Sequence, residues 1–95
     1  MMDLKKEIEK TLQEKLLVIH VEVVDTSASH ATHPEARKSG GGHFTVKIIS
    51  DVFEGKTLLE RHRLVYDTLK DLGNQIHALK IQALTVGEAK SRKIL

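Results

Sequence analysis

Imidazole and guanidinium are the side chains with chemistry to offer in this 95-residue sequence, which has six histidines and no cysteine. His30 and His33 share a polar stretch, DTSASHATHPEARKSGGG from Asp25 on, while His43 opens one β-branched run and His77 lies at the start of another. Neutral imidazole suits Zn, Cu, Fe and Ni, so a loop histidine and a strand-end histidine make a reasonable half-site for a metal or a cluster. Two such donors do not close a site. A plainer reading stands beside this one, in which His30 and His33 are solvated loop residues and His77 is bonded to backbone.

Arg61, His62 and Arg63 follow one another in FEGKTLLERHRLVY, residues 53–66. His62 comes four residues after Leu58 and four before Tyr66, which puts it on the apolar stripe of a helix and predicts a packed, hydrogen-bonded histidine. Arg61 and Arg63 flank that stripe, within reach of phosphates or of Glu60 and Asp67. With Lys56 they form a small basic strip, which reads equally as a solvated face. Gly40 to Gly42 lack the strand, glycine spacing, lysine and helix of a phosphate-binding loop, and read as hinge and linker. No Ser-His-Asp or paired-carboxylate arrangement stands out, so an enzyme is not expected.

Without cysteine the chain by itself offers no disulfide framework, zinc–thiolate site, thiol nucleophile or self-contained iron–sulfur cluster. Any thiolate must come from a partner. Fifteen basic residues against 13 acidic ones give a net charge of +2, too small an excess to predict nucleic-acid binding by itself. Aromatic residues make up 3% of the chain, so the core is expected from Leu, Ile and Val, and there is no stacking platform for bases. The start MMDLKKEIEKTL lacks the apolar stretch of a secretory signal, and no apolar run approaches the roughly 20 residues that cross a bilayer. A cytoplasmic protein with no membrane association is the expectation.

These residues must be positioned by a few elements. Leu4, Ile8, Leu12 and Leu16 predict a helix over Asp3 to Leu16 with Asp3 as its N-cap. Val18 to Asp25 alternates as a first strand, with Ile19, Val21 and Val23 on one face. After a loop over 26–42, His43 to Asp51 is a second strand with Phe44, Val46 and Ile48 inward. A turn over Phe53 to Lys56 leads to a helix capped by Thr57, with a stripe of Leu58, Leu59, His62, Val65, Tyr66, Leu69 and Leu72 and a left-handed stop at Gly73-Asn74. Ile76 to Thr85 is a third strand, with a short helix from Val86.

The order α-β-β-α-β-α makes one α+β domain over residues 1–95, a three-stranded mixed sheet with helices packed on it. Strands one and two should be antiparallel, and strands two and three, joined by a helical crossover, parallel. Parallel pairing brings His77 to the end of the sheet where His43 begins, beside the loop that carries His30 and His33.

GGGHFTVKIIS, FEGKTLLERHRLVYDTL and IHALKIQALT, in that order, resemble the BolA family, and VVDTSASH matches the strand leading into its variable loop. The resemblance runs from the first helix to Thr85, and the F-x-G-x-x-L-x-R-H-R-L-V-Y block is highly specific. It implies a fold similar to class II KH domains and a role as partner of monothiol glutaredoxins, in heterodimers some of which share a [2Fe-2S] cluster. The ligands it implies are a loop residue, matched by His30 with His33 as its rival, and the histidine of the V-H-A-L-like segment, matched by His77. Glutaredoxin and glutathione would supply the thiolates, and the chain alone would be a monomer without a cofactor. The family also implies transcriptional regulators of stress and morphology that bind DNA. Lys56, Arg61 and Arg63 are the residues such a role would use. Gly55-Lys56-Thr57-Leu58 lacks the second glycine of the loop that binds single-stranded RNA in KH domains.

Overall fold

The Asp3 carboxylate accepts a hydrogen bond from the Lys5 N–H at 3.2 Å and starts helix α1, Leu4–Lys15. In this computed structural model, which describes residues 3–26 and 42–94, the four-residue spacing works as read, with Ile8, Leu12 and Leu16 buried and Leu4 packed beside them. Each such side chain contributes roughly 1.5–3 kcal/mol on leaving water. His30 and His33 lie outside the described residues.

Strands β1 (Val18–Asp25), β2 (His43–Ser50) and β3 (Ala78–Leu84) form one sheet in the order β1-β2-β3. β1 runs antiparallel to β2, and β2 parallel to β3. The crossover is helix α2, Leu58–Thr68, and helix α3, Val86–Ser91, follows β3. The topology is that expected from the order of elements.

Alternation decides what each face does. Val23, Phe44, Val46, Ile48 and Ala83 meet Ile8 and Leu12 of α1 and Val65 and Leu69 around the end of α2 in the main core. On the opposite face α3 covers one end of the sheet, where Ile49, Leu84 and Ala89 form a second cluster. Phe53 belongs to the core rather than to a surface turn, because a short 3₁₀ turn over Asp51–Phe53 folds it inward until it is fully buried.

Three local expectations are corrected. Ile19 does not share the inward face of Val21 and Val23. The β1–β2 register slips between Val18 and His20, and this irregularity shifts the phase so that Val18 packs against the core while Ile19 is 55% exposed. The stripe of α2 is narrower than read: Leu58, Leu59 and Tyr66 are all more than half exposed, whereas Val65 is buried and Leu64 half-buried. Tyr66 instead flanks the sheet, its hydroxyl donating to the Leu79 carbonyl at 3.2 Å.

Gly73-Asn74 is not a left-handed stop. α2 ends at Thr68, and the chain tightens into a 3₁₀ turn over Lys70–Gln75. The Leu72 N–H reaches Leu69 O at 2.9 Å and the Ile76 N–H reaches Gly73 O at 3.3 Å, which satisfies carbonyls that a left-handed residue would otherwise serve. Among the described glycines only Gly42 and Gly55 have positive φ.

Thr57 caps α2 as expected. Its hydroxyl accepts from the Glu60 N–H, and Glu60 accepts from the Thr57 N–H at 2.8 Å. That backbone bond, with the Thr57 hydroxyl next, holds the Glu60 carboxyl below its usual value.

Candidate functional site

Parallel pairing sets His43 of β2 opposite Ala78 of β3, so His77, one residue earlier, comes to the same end of the sheet. Gly42 O accepts from both the His77 N–H (2.8 Å) and the Ala78 N–H (3.1 Å). The His43 and His77 rings lie 6.3 Å apart between centroids, their planes 19° from parallel. His77 is exposed and His43 half-buried. The Thr26 N–H donates to His43 O at 2.8 Å, so the chain leaves β1 and re-enters β2 at this same end. The segment carrying His30 and His33 is therefore anchored beside His77 at both of its ends.

Gly42 is where glycine is needed. Its φ is +83°, and a Cβ there would come within 2.6 Å of Gln75 O and 2.9 Å of His77 Cδ2. The backbone passes directly under the imidazole at a distance that admits no side chain. Of the four histidines expected to converge, the described residues show two together. His77 stands just before β3 rather than inside it, bonded to backbone through its N–H while its ring faces outward.

The basic strip divides. Arg61 is not available for phosphate: its side chain is 12% exposed. Nε donates to Lys56 O at 3.0 Å, Nη1 to Ala83 O at 3.1 Å, and the two Nη groups grip Glu88 at 2.6 and 3.2 Å. Thr85 and Glu88 form a capping box at the start of α3. The Arg61 guanidinium thus ties the start of α2 to the end of β3 and to α3.

Bidentate geometry of this kind is the strong form of an arginine–carboxylate contact. A short helix from Val86 was expected, but the partner that its Glu88 finds in Arg61 lies 27 residues away and carries no local signal. Lys56 and Arg63 remain exposed. Arg92, which the sequence did not single out, lines with Lys56, Leu58, Ile81 and Glu88 a cleft of about 290 Å³ beside β3.

The Arg61 hydrogen bond, with the Thr85 N–H next, lowers the Glu88 carboxyl from 4.5 to about 2. A carboxylate depressed by folding contributes stability that is fully present above its unfolded value and is lost as pH falls through the folded one. Glu88→Gln should therefore unfold at lower urea than the parent from neutral pH down to about 4.5, with the gap closing between 4.5 and about 2. Urea midpoints across that range check it, and a gap independent of pH would remove the ion pair as its cause.

His62 is half-buried on α2 and its Nε2 is buried with no hydrogen-bond partner. The packing matches expectation, but the hydrogen bond at Nε2 does not. Among the described residues no group of three or more His, Cys, Asp or Glu could hold a metal ion, and no helix is long and apolar enough to cross a membrane.

Comparison with known proteins points one way. The family described as BolA-like protein matches residues 12–88. Protein BOLA2 of Arabidopsis thaliana is 41% identical over 78 residues, 82% of this chain and 73% of that protein. The DNA-binding transcriptional regulator BolA of Escherichia coli is 36% identical over 88 residues, 92% of this chain and 80% of that protein. SufE-like protein 1, chloroplastic/mitochondrial, of A. thaliana is 44% identical over 85% of this chain, which spans 23% of its length.

The solved BolA domain of SufE1 from A. thaliana superposes with a TM-score of 0.78 at 40% identity, covering 93% of this chain and 98% of that one. BolA1 from Mus musculus gives 0.79 at 31% identity, covering 100% and 75%. With this family match, these identities and this α+β architecture of three-stranded mixed sheet and three helices, the chain belongs to the BolA family.

Proposed function

We propose that this chain is a non-enzymatic adaptor that binds a monothiol glutaredoxin and shares with it a bridging [2Fe-2S] cluster, in iron–sulfur trafficking or iron regulation. The observation that carries the reading is His77: an exposed imidazole on a backbone fixed by two hydrogen bonds to Gly42 O. Imidazole is a competent donor to iron, and the end of the sheet that holds His77 also anchors the segment with His30 and its rival His33. The absence of cysteine agrees with a partner, glutaredoxin with glutathione, that contributes the thiolates. Histidine in place of cysteine on one iron raises the potential of such a cluster, as in Rieske centres. This chain's task is to present the imidazoles and the docking surface.

The isolated protein should accordingly purify colourless and acquire a visible chromophore only when mixed with glutaredoxin, glutathione, ferrous iron and sulfide. A stable coloured cluster on this chain alone would overturn the adaptor mechanism.

A second reading, a DNA-binding regulator, is favoured by the exposed Lys56 and Arg63, by Arg92, which lines the same cleft as Lys56, and by similarity to a relative named as a DNA-binding transcriptional regulator. With Arg61 engaged by Glu88, few cations remain. Binding should be non-specific and micromolar or weaker, with affinity falling on the order of 2–3 decades per decade of salt. Nanomolar, sequence-selective binding at physiological salt that is lost in Arg63→Ala would reverse the ranking. Arg63 is the residue to replace, because Arg61→Ala would also release α3.

A further inference from the structure

His43 has no role in the reading above, yet its ring lies beside that of His77. We infer that His43 and His77 form a two-imidazole site for one divalent transition ion, with Cu²⁺ bound most tightly, in the isolated chain and independently of glutaredoxin. Both backbones are held in place: His43 is the first residue of the central strand, opposite Ala78, and His77 is tied to Gly42 O.

Metal–nitrogen bonds of about 2.0–2.1 Å put a ring centroid roughly 3 Å from its ion. The observed 6.3 Å between centroids is therefore at the outer reach of a shared ion. The rings are stacked, whereas lone pairs lie in the ring planes, so one ring turns on binding. That torsion is broad for histidine, and exposed His77 is the ring with room to turn. The Cδ2 edge of His77 lies against Gly42, so the opposite edge, with Nδ1, is directed away from that backbone.

His43 opens onto a cleft of about 380 Å³ that Thr26, Thr45, Ala78 and Lys80 also line, with space for the waters that complete the coordination. No third acidic, cysteine or histidine ligand joins the pair among the described residues. Copper(II) leads because a site of nitrogen and water ligands follows the Irving–Williams order.

Titration of the isolated chain with Cu²⁺ alone tests this. Trace Cu²⁺ should broaden the ring signals of His43 and His77 before those of His20 and His62, and paramagnetic resonance should report two nitrogen ligands from imidazole. His43→Asn and His77→Asn should each weaken binding about tenfold or more, while His20→Asn, at the other end of the sheet opposite Ile49, should leave it within a factor of about two. Amide spectra confirm that the variants fold, and the broadening pattern of the parent chain needs no variant. Equal broadening of all the histidines, or loss of binding in His20→Asn with His43 and His77 intact, would overturn the site. Neither result bears on cluster formation with glutaredoxin, which is read separately by its visible chromophore.

Discussion

His77→Ala is expected to abolish the stable bridging cluster while leaving an apo heterodimer with glutaredoxin able to form. The substitution removes an exposed ring and keeps the N–H that binds Gly42 O at 2.8 Å, so the start of β3 retains its place and the surface around it is unchanged. On the proposed reading, what is lost is one donor to iron. The loop position should behave differently, because His30 and His33 lie three residues apart on one segment anchored at Thr26 and Gly42. His30→Ala should be partly rescued by His33, and only the double change should match the His77 defect.

Visible circular dichroism of the heterodimer across these variants gives the answer. An unchanged cluster signal in His77→Ala would eliminate His77 as a ligand, and full loss in His30→Ala alone would remove His33 from consideration. A residual signal in His77→Ala that vanishes when His43 is also replaced would show the neighbouring imidazole standing in.

The parts of this molecule that could be read from the sequence are those set by a single element's own periodicity or by chain topology. Leu4, Ile8, Leu12 and Leu16 declare a helix face because they share one side of one helix whatever it packs on. The meeting of His43 and His77 followed from a topological rule, since a helical crossover makes β2 and β3 parallel and so aligns their starts.

The features that escaped depend on what lies across a gap. Ile19 obeys the alternation of β1 in sequence and is turned out by an irregularity that exists only in its pairing with β2. Leu58, Leu59 and Tyr66 satisfy a helical stripe, but the width of the buried stripe depends on how the helix meets the sheet, and here it is narrow. Arg61 looked like one of three equivalent cations. Its bond to Glu88 separates it from Arg63, and nothing within either segment announces that pairing. The Gly40 to Gly42 run read as a linker, whereas its last residue has a steric duty to Gln75 and His77 that appears only once β3 is in place.

That duty makes Gly42→Ala the substitution with the largest expected cost to the fold around the site. At φ +83° an alanine would occupy the left-handed region that L-residues avoid, and its methyl carbon would stand 2.6 Å from Gln75 O and 2.9 Å from His77 Cδ2. The first neighbour is backbone at the end of a 3₁₀ turn and cannot swing aside as a side chain would. The second is the imidazole itself. Backbone strain and overpacking together should cost roughly 2–5 kcal/mol, a large share of the 5–15 kcal/mol that holds a typical domain together.

Relief requires Gly42 and His77 to separate, and that breaks the bonds from the His77 and Ala78 N–H groups to Gly42 O from which the parallel β2–β3 ladder begins. Gly55→Ala is the matched control. It has a similar φ of +72° but nothing within 4 Å of its added carbon, so it should carry the backbone strain alone, roughly 1–2 kcal/mol. Urea midpoints of the two variants separate the terms. In Gly42→Ala the amide signals of His77 and Ala78 should also lose hydrogen-exchange protection, and the variant should fail to retain the cluster even under conditions where it stays folded. Equal midpoints for Gly42→Ala and Gly55→Ala would mean that the close approach under His77 is not there.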